Sequence, residues 1–140
     1  MIRQYLTFVL LMALMAPVSA EAQRVRPPGP SRTPAPPEVI AKNLAENVLG
    51  EGTVKRVQVL RGGQLIIIAW EAALYKTTNT VQHNREQMSG EAQLATGSIM
   101  GVMHPERIEF TMLNGQKTLA SGYRTRRGEF SMTYAKELGG

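Results

Sequence analysis

The residues that could carry out chemistry are few in this 140-residue chain, and they are spaced far apart. It has two histidines, His83 and His104, and no cysteine. Neither histidine has a second His or Cys at ligand spacing, so we expect no metal site and place both on surface loops. All eleven acidic residues are Glu. The missing Asp removes the commonest orienting residue of catalytic triads and the usual ligand of oxygen-rich metal loops.

A serine nucleophile is the remaining route to catalysis. Four serines could be combined on paper with a His and a Glu: Ser89, Ser98, Ser121 and Ser131. No nucleophile-elbow sequence frames any of them. We therefore expect a protein that is not an enzyme and has no cofactor, with a hydrolase as the third choice of function.

Three aromatic residues and three arginines are the candidate contacts for a ligand or partner: Trp70, Tyr75, Tyr123, Arg124, Arg126 and Arg127. Aromatic side chains dominate pockets for sugars and apolar ligands. Spacing alone does not bring the three together, and a core position for Trp70 is the alternative. A turn between strands explains the three clustered arginines as well as a binding patch does.

The net charge of +5 is concentrated near the amino terminus. From residue 38 onward there are 12 Lys and Arg against 10 Glu, a balance of +2. A nucleic-acid-binding domain usually carries a concentrated basic face. We therefore expect no nucleic-acid partner.

Residues 1–20, MIRQYLTFVLLMALMAPVSA, have the pattern of a cleaved secretory signal. Arg3 precedes an apolar run of about 12 residues, which Pro17 ends, and Val18-Ser19-Ala20 has the small-x-small form that signal peptidase reads. A membrane-spanning helix needs about 20 apolar residues. The segment predicts an exported protein, periplasmic or secreted, with membrane attachment only through an uncleaved signal.

Residues 21–37 contain six prolines and predict a disordered linker. This composition cannot bury enough apolar surface to fold and favours polyproline II. At about 3.1 Å per residue such a linker reaches roughly 50 Å. The alternative is a docking strand for a partner's groove.

Residues 38–140 begin with a predicted helix and hairpin. Helix Glu38–Leu49 repeats an apolar stripe at Ile40, Leu44 and Val48. Strands Thr53–Leu60 and Gln64–Trp70 follow, joined at Gly62-Gly63. Four successive aliphatic residues in the second strand predict a central strand with both faces buried, one of them by the helix.

The segment Gln87–Met103 fits two structures, and the choice decides the fold. As a helix it carries a stripe at Met88, Ala92, Ala95, Ile99 and Val102. However, Gly90, Gly97 and Gly101 would each cost about 1 kcal/mol relative to Ala. We favour the second interpretation, a hairpin of Gly90–Thr96 and Ser98–Met103.

The last third predicts three further strands, joined by short turns. Apolar and polar residues alternate in the first predicted strand, Arg107–Leu113, and Asn114-Gly115 is a strong hairpin signal before the second, Gln116–Arg124. A turn at Arg127-Gly128 precedes the third strand, Glu129–Tyr134. Turns every eight to twelve residues indicate an antiparallel meander.

Together these patterns predict a small α+β domain at 38–140. In it an antiparallel β-meander packs against one amino-terminal helix, and in one version of the prediction the meander is barrel-like. With no disulfide it must be stabilised by burial alone. The predicted function is protein–protein interaction within a cell-envelope assembly. The alternative is a small-ligand carrier with an apolar pocket in the sheet. The pattern does not determine the oligomeric state.

Overall fold

The computed structural model describes residues 33–140, and the elements in this range confirm an α+β fold. The predictions for residues 1–20 and for most of the linker lie outside the described residues. In chain order the elements are α1 (Pro37–Leu49), β1 (Val54–Leu60), β2 (Leu65–Glu71), α2 (Val81–Met103), β3 (Arg107–Asn114), β4 (Lys117–Thr125) and β5 (Phe130–Tyr134). Short 3-10 turns span Arg61–Gly63 and Lys136–Leu138.

The five strands form one mixed sheet in the order β1-β2-β3-β4-β5. Three strand pairs are antiparallel, but β2 and β3 run parallel. The predicted antiparallel meander is therefore wrong between β2 and β3. Parallel neighbouring strands need a crossover connection, and α2 supplies it. The sheet does not close into a barrel, since β1 and β5 are its two edges.

The segment 87–103 belongs to the long helix α2, so the predicted hairpin is wrong and the domain has two helices within residues 33–140. Thr80 caps the helix by accepting a hydrogen bond from the backbone N–H of His83 at 3.1 Å. The stripe Met88, Ala92, Ala95 and Ile99 is fully buried. Tertiary burial of this stripe outweighs the helix-propensity cost of the three glycines.

The helix α1 packs on α2 through small residues. Ala41 and Ala45 are fully buried, whereas Val48, which the sequence places on the buried stripe, is 43% exposed. The Ser98 hydroxyl donates to the carbonyl oxygen of Leu44 at 3.2 Å, across the two helices. Small side chains let the helices approach closely, so the buried face of α1 is rotated by about one residue from the predicted stripe.

Both helices cover the same face of the sheet. On β2, Ile66, Ile68 and Trp70 are buried toward the helices, while Leu65 and Ile67 are half-buried on the opposite face. The prediction that both faces of this strand are buried is therefore correct for the helix face and only partly correct for the other, where Ala69 alone is buried, at 3% exposure. Within residues 33–140, no helix lies over that second face.

An aromatic row crosses the helix face. The ring centroids of Trp70 and Phe110 lie 5.5 Å apart, and those of Phe110 and Phe130 lie 5.8 Å apart. Phe110 lies on β3 and Phe130 on β5, so the intervening β4 must leave space for them. Gly122, which pairs with Phe110 in the sheet, provides that space. A Cβ at this position would come within 2.8 Å of the Phe110 ring and would collide with the carbonyl oxygen of Ser131.

Two of the three predicted turns have the expected form. Gly115 and Gly128 adopt φ values of 66° and 103° between consecutive strands. The first turn is longer than predicted, because Leu60 pairs with Leu65 and four residues lie between them. Arg61, Gly62 and Gly63 all have positive φ there.

Candidate functional site

The six candidate contact residues do not meet at one surface. Trp70 has no exposed surface and stacks in the core. Tyr75 is half-buried in the loop between β2 and α2, and Tyr123 lies on the open face of the sheet. The remaining three are the arginines of β4 and the last hairpin.

The three arginines have different environments. Arg124 faces α2, and its Nη1 donates to the carbonyl oxygen of Gln93 at 3.1 Å and to Thr96 Oγ1 at 3.3 Å. Arg126 is exposed, and its Nη1 donates to the carbonyl oxygen of His104 at 3.2 Å. Arg127 is exposed at the turn. Arg124 therefore links sheet to helix and is partly exposed, whereas Arg126 and Arg127 are exposed.

The open face of the sheet is a mixed polar and apolar surface. The Arg107 guanidinium lies 4.0 Å above the Tyr123 ring, and its Nε donates to Glu109 Oε2 at 2.9 Å. A depression of about 470 Å³ lies nearer β1, with Arg56 and Ile67 among its lining residues. Arg107, Glu109 and Tyr123 on this face are thus paired with each other.

The histidines and acidic residues form no metal site in the part of the chain that the structure describes. Both histidines are exposed, but the predicted loop position is wrong for His83, which lies in the first turn of α2, while His104 lies just after the end of that helix. Neither helix among residues 33–140 is both long and apolar enough to cross a bilayer.

A concave apolar surface lies where α1, the β2–α2 loop and α2 meet. We call it the interhelical groove: a depression of about 440 Å³ between the end of α1, the β2–α2 loop and the middle of α2. Its apolar lining comprises Val48, Leu49, Ala73, Leu74, Gly90 and Leu94. Its polar lining comprises Glu86, Gln87 and Glu91.

Large apolar side chains are exposed at this groove. Val48 is 43% exposed, Leu74 48% and Leu94 62%, and all three line it. They come from three different elements, so the fold and not the local sequence brings them together. Exposed apolar residues scattered singly need no explanation, but these three are not scattered, because they line one concave surface.

Asn84, a buried side chain of α2, holds one part of the loop that forms a wall of the groove. Its Nδ2 donates to the carbonyl oxygen of Lys76 at 2.8 Å, and its Oδ1 accepts from the backbone N–H of Lys76 at 3.2 Å. A side-chain amide that pairs with both backbone groups of one residue fixes the path of the loop. This anchoring keeps Leu74 in place at the groove without burying it.

Glu91 holds the other part of the loop from beneath the groove. It is 6% exposed, and its Oε1 accepts from the backbone N–H of Leu74 at 2.9 Å. Its Oε2 and the indole Nε1 of Trp70 are buried, and neither forms a hydrogen bond of good geometry among the described residues. Burial raises the pKa of Glu91; the Leu74 N–H lowers it by less, as does the Trp70 indole, which lies near the carboxyl. A buried carboxyl with one unpartnered oxygen is a costly arrangement.

Sequence reasoning missed this groove because its residues are unremarkable one at a time. Glu91 and Leu94 fall within the predicted strand Gly90–Thr96, and Leu74 falls just after the predicted strand Gln64–Trp70. A signal was present in the helical interpretation of 87–103, since Leu94 falls off the stripe that begins at Met88. Comparison with protein-family models, curated proteins and solved structures found no match to this chain.

Proposed function

We propose that residues 38–140 form an exported, non-enzymatic binding module, and that the interhelical groove is its partner-binding surface. The observation that carries the proposal is the convergence of Val48, Leu74 and Leu94 on one concave surface. Interfaces are organised around apolar side chains that exclude water together. The partner is a protein of the cell envelope or the extracellular space.

Export is the first part of the proposal, and it rests on residues 1–20. The expected product is a chain that begins at Glu21, since Val18-Ser19-Ala20 ends the apolar run. Intact-mass measurement of protein recovered from outside the cytoplasm checks this. A mass that includes residues 1–20 would replace the exported module with a membrane-anchored one.

The groove can be tested with two matched positions on α2. Leu94 and Val102 are exposed to similar degrees, 62% and 59%, but only Leu94 lines the groove. A photo-crosslinking amino acid replaces Leu94 in one variant and Val102 in the other, and each variant is irradiated in the cells that produce it. We expect one defined protein adduct from position 94 and none from position 102. Adducts from position 102 alone, or from neither position, would contradict the proposal.

A small-ligand carrier is the second candidate function. The volume of the groove, about 440 Å³, lies within the usual range of ligand sites. However, neither Trp70 nor any tyrosine lines it, and it lies between helices and loop instead of within the sheet. Native mass spectrometry of the protein as recovered distinguishes the two functions, because a carrier retains a bound molecule of defined mass.

A further inference from the structure

The charges at the interhelical groove all have one sign. The two ionisable residues among its lining are Glu86 and Glu91, and no Lys or Arg lines it. Residues 38–140 as a whole carry a balance of +2. The groove is therefore a local acidic surface on a slightly basic domain.

The two carboxyl groups lie at different depths. Glu86 is exposed on α2, where its Oε1 accepts from Gln82 Nε2 at 2.8 Å. Glu91 lies below the surface, 6% exposed, with Oε2 lacking a partner in the described range. A positive charge at the rim would be paired directly by Glu86. It would also be attracted by Glu91, through a region where protein replaces water and screening is weaker.

Apolar surface surrounds these carboxyl groups. Leu74 from the loop and Leu94 from α2 both line the groove, and Gly90 adds no side chain to its lining. A Cβ at Gly90 would have no neighbour within 4 Å, so the groove is open at that point. An occupant must therefore satisfy two requirements together, an apolar group for the walls and a cationic group for the carboxylates.

We propose that the interhelical groove receives a segment of a partner protein in which an apolar side chain is flanked by Lys or Arg. This inference rests on the proposed function and adds the chemistry of the partner. The apolar anchor fills the space between Leu74 and Leu94, and the cation lies against Glu86. Such complementarity selects the partner and orients it more than it adds affinity.

Three small probes carry the same phenyl ring but differ in charge: benzylammonium, benzyl alcohol and benzoate. Each is titrated into the protein as recovered from its cells, and methyl NMR signals of Val48, Leu74 and Leu94 report occupancy. We expect benzylammonium to bind about threefold to fivefold more tightly than benzyl alcohol, the range of an exposed ion pair. Benzoate should bind more weakly than the alcohol. The preference should shrink as salt is added.

Matched variants locate the charge effect. Glu86→Gln should reduce the preference for benzylammonium to less than about twofold, because one exposed carboxylate is removed from the rim. Glu129→Gln removes an exposed carboxylate that does not line the groove and should leave the preference unchanged. Benzyl alcohol should bind all three proteins equally.

Several results would overturn the inference. Equal binding of the three probes would remove the cation requirement while leaving a binding groove. Preference for benzoate would assign an anionic partner instead. Methyl shifts that depend on protein concentration without any probe would assign the groove to a second copy of this chain. Failure of the proposed function itself is distinguishable, because crosslinking at position 94 reports on it independently of charge.

Discussion

Glu91 is a carboxyl group that the fold buries in order to hold a loop. Burial raises its pKa, so the folded protein binds the proton more tightly than the unfolded chain does. Its contribution to stability is therefore complete below the ordinary pKa of Glu. It is lost as the pH rises through the raised pKa of the folded state.

Substitution of Glu91 tests this linkage. Glu91→Gln keeps an oxygen that can accept from Leu74 N–H but removes the titration. The free energy of unfolding of the variant minus that of the wild type should increase with pH between the ordinary and raised pKa, then level off. Urea titrations across a pH series measure it. Glu86→Gln, an exposed change on the same helix, is the control, and a flat difference for Glu91→Gln would show that the carboxyl is solvated.

Gly122 is a glycine that the sheet requires for space and not for a positive φ. A Cβ there would collide with the Ser131 carbonyl oxygen and press against Phe110. Gly122→Ala should therefore lower the free energy of unfolding by at least about 2 kcal/mol, within or above the usual cost of overpacking. Gly101→Ala is the control, since no atom lies within 4 Å of its added Cβ. Equal effects of the two in denaturant titration would mean that β4 and β5 can move apart.

At the scale of the element, β2 shows how one strand can serve two environments. Ile66 and Ile68 have 0% and 1% exposure beneath the helices, whereas Ile67 between them is half-buried on the open face. The run of aliphatic residues therefore does not require a cover on both faces. Apolar side chains on the open face still pack against their cross-strand neighbours.

Truncation of adjacent residues on β2 should give unequal losses. Ile68→Ala should cost about 2–5 kcal/mol, as buried aliphatic truncations do. Ile67→Ala, the same chemical change one position earlier, should cost less than about 2 kcal/mol because part of its side chain already contacts water. Chemical denaturation of both variants measures the difference. Equal losses would indicate that something covers the open face of the sheet.

The helix α2 explains why the sequence predicted only part of the topology. The helices and strands with clear periodicity, α1 and β3 to β5, were identified nearly to the residue. In 87–103, three glycines lowered the helical propensity of a segment whose buried stripe was nevertheless complete. Propensity is a local quantity, while burial against α1 and the sheet is not visible in the sequence. The error in this one element also changed the direction of the β2–β3 pairing.

The candidate site was harder to predict than the fold for a related reason. Trp70 and Arg124 are residue types that often bind partners, yet the structure uses both internally, in the aromatic row and in the link to Gln93. The groove instead uses Val48, Leu74 and Leu94, whose types indicate a core. Their common location follows from the α2 crossover, which the sequence analysis did not favour.

At the scale of the whole molecule, the described domain begins close to the linker. Thr33–Pro36 are exposed, and the carbonyl oxygen of Pro36 accepts from the backbone N–H groups of Val39 and Ile40 in the first turn of α1. A chain that lacks residues 21–34 keeps this contact. Its melting temperature should differ from that of the protein with the linker by no more than about two degrees, which is at most about 0.5 kcal/mol for a domain of this size.

Thermal unfolding of the two forms under identical conditions measures this difference. A loss of many degrees would show that the linker packs on the domain, as the docking-strand alternative predicts. The same truncated protein can be used in the probe titrations, where unchanged binding would place the linker away from the interhelical groove.

The parallel seam between β2 and β3 also has a consequence for the order in which the chain folds. Partners across this seam, such as Leu65 and Arg107, are about forty positions apart, whereas the other strand pairs are closed by short turns. Short loops close quickly, and distant pairings are slower because more chain entropy is lost before they form. The β1–β2 hairpin and the β3–β5 ribbon can therefore form early and separately. We expect them to dock when α2 folds between them, which would complete the aromatic row and the wall of the groove in the same late step.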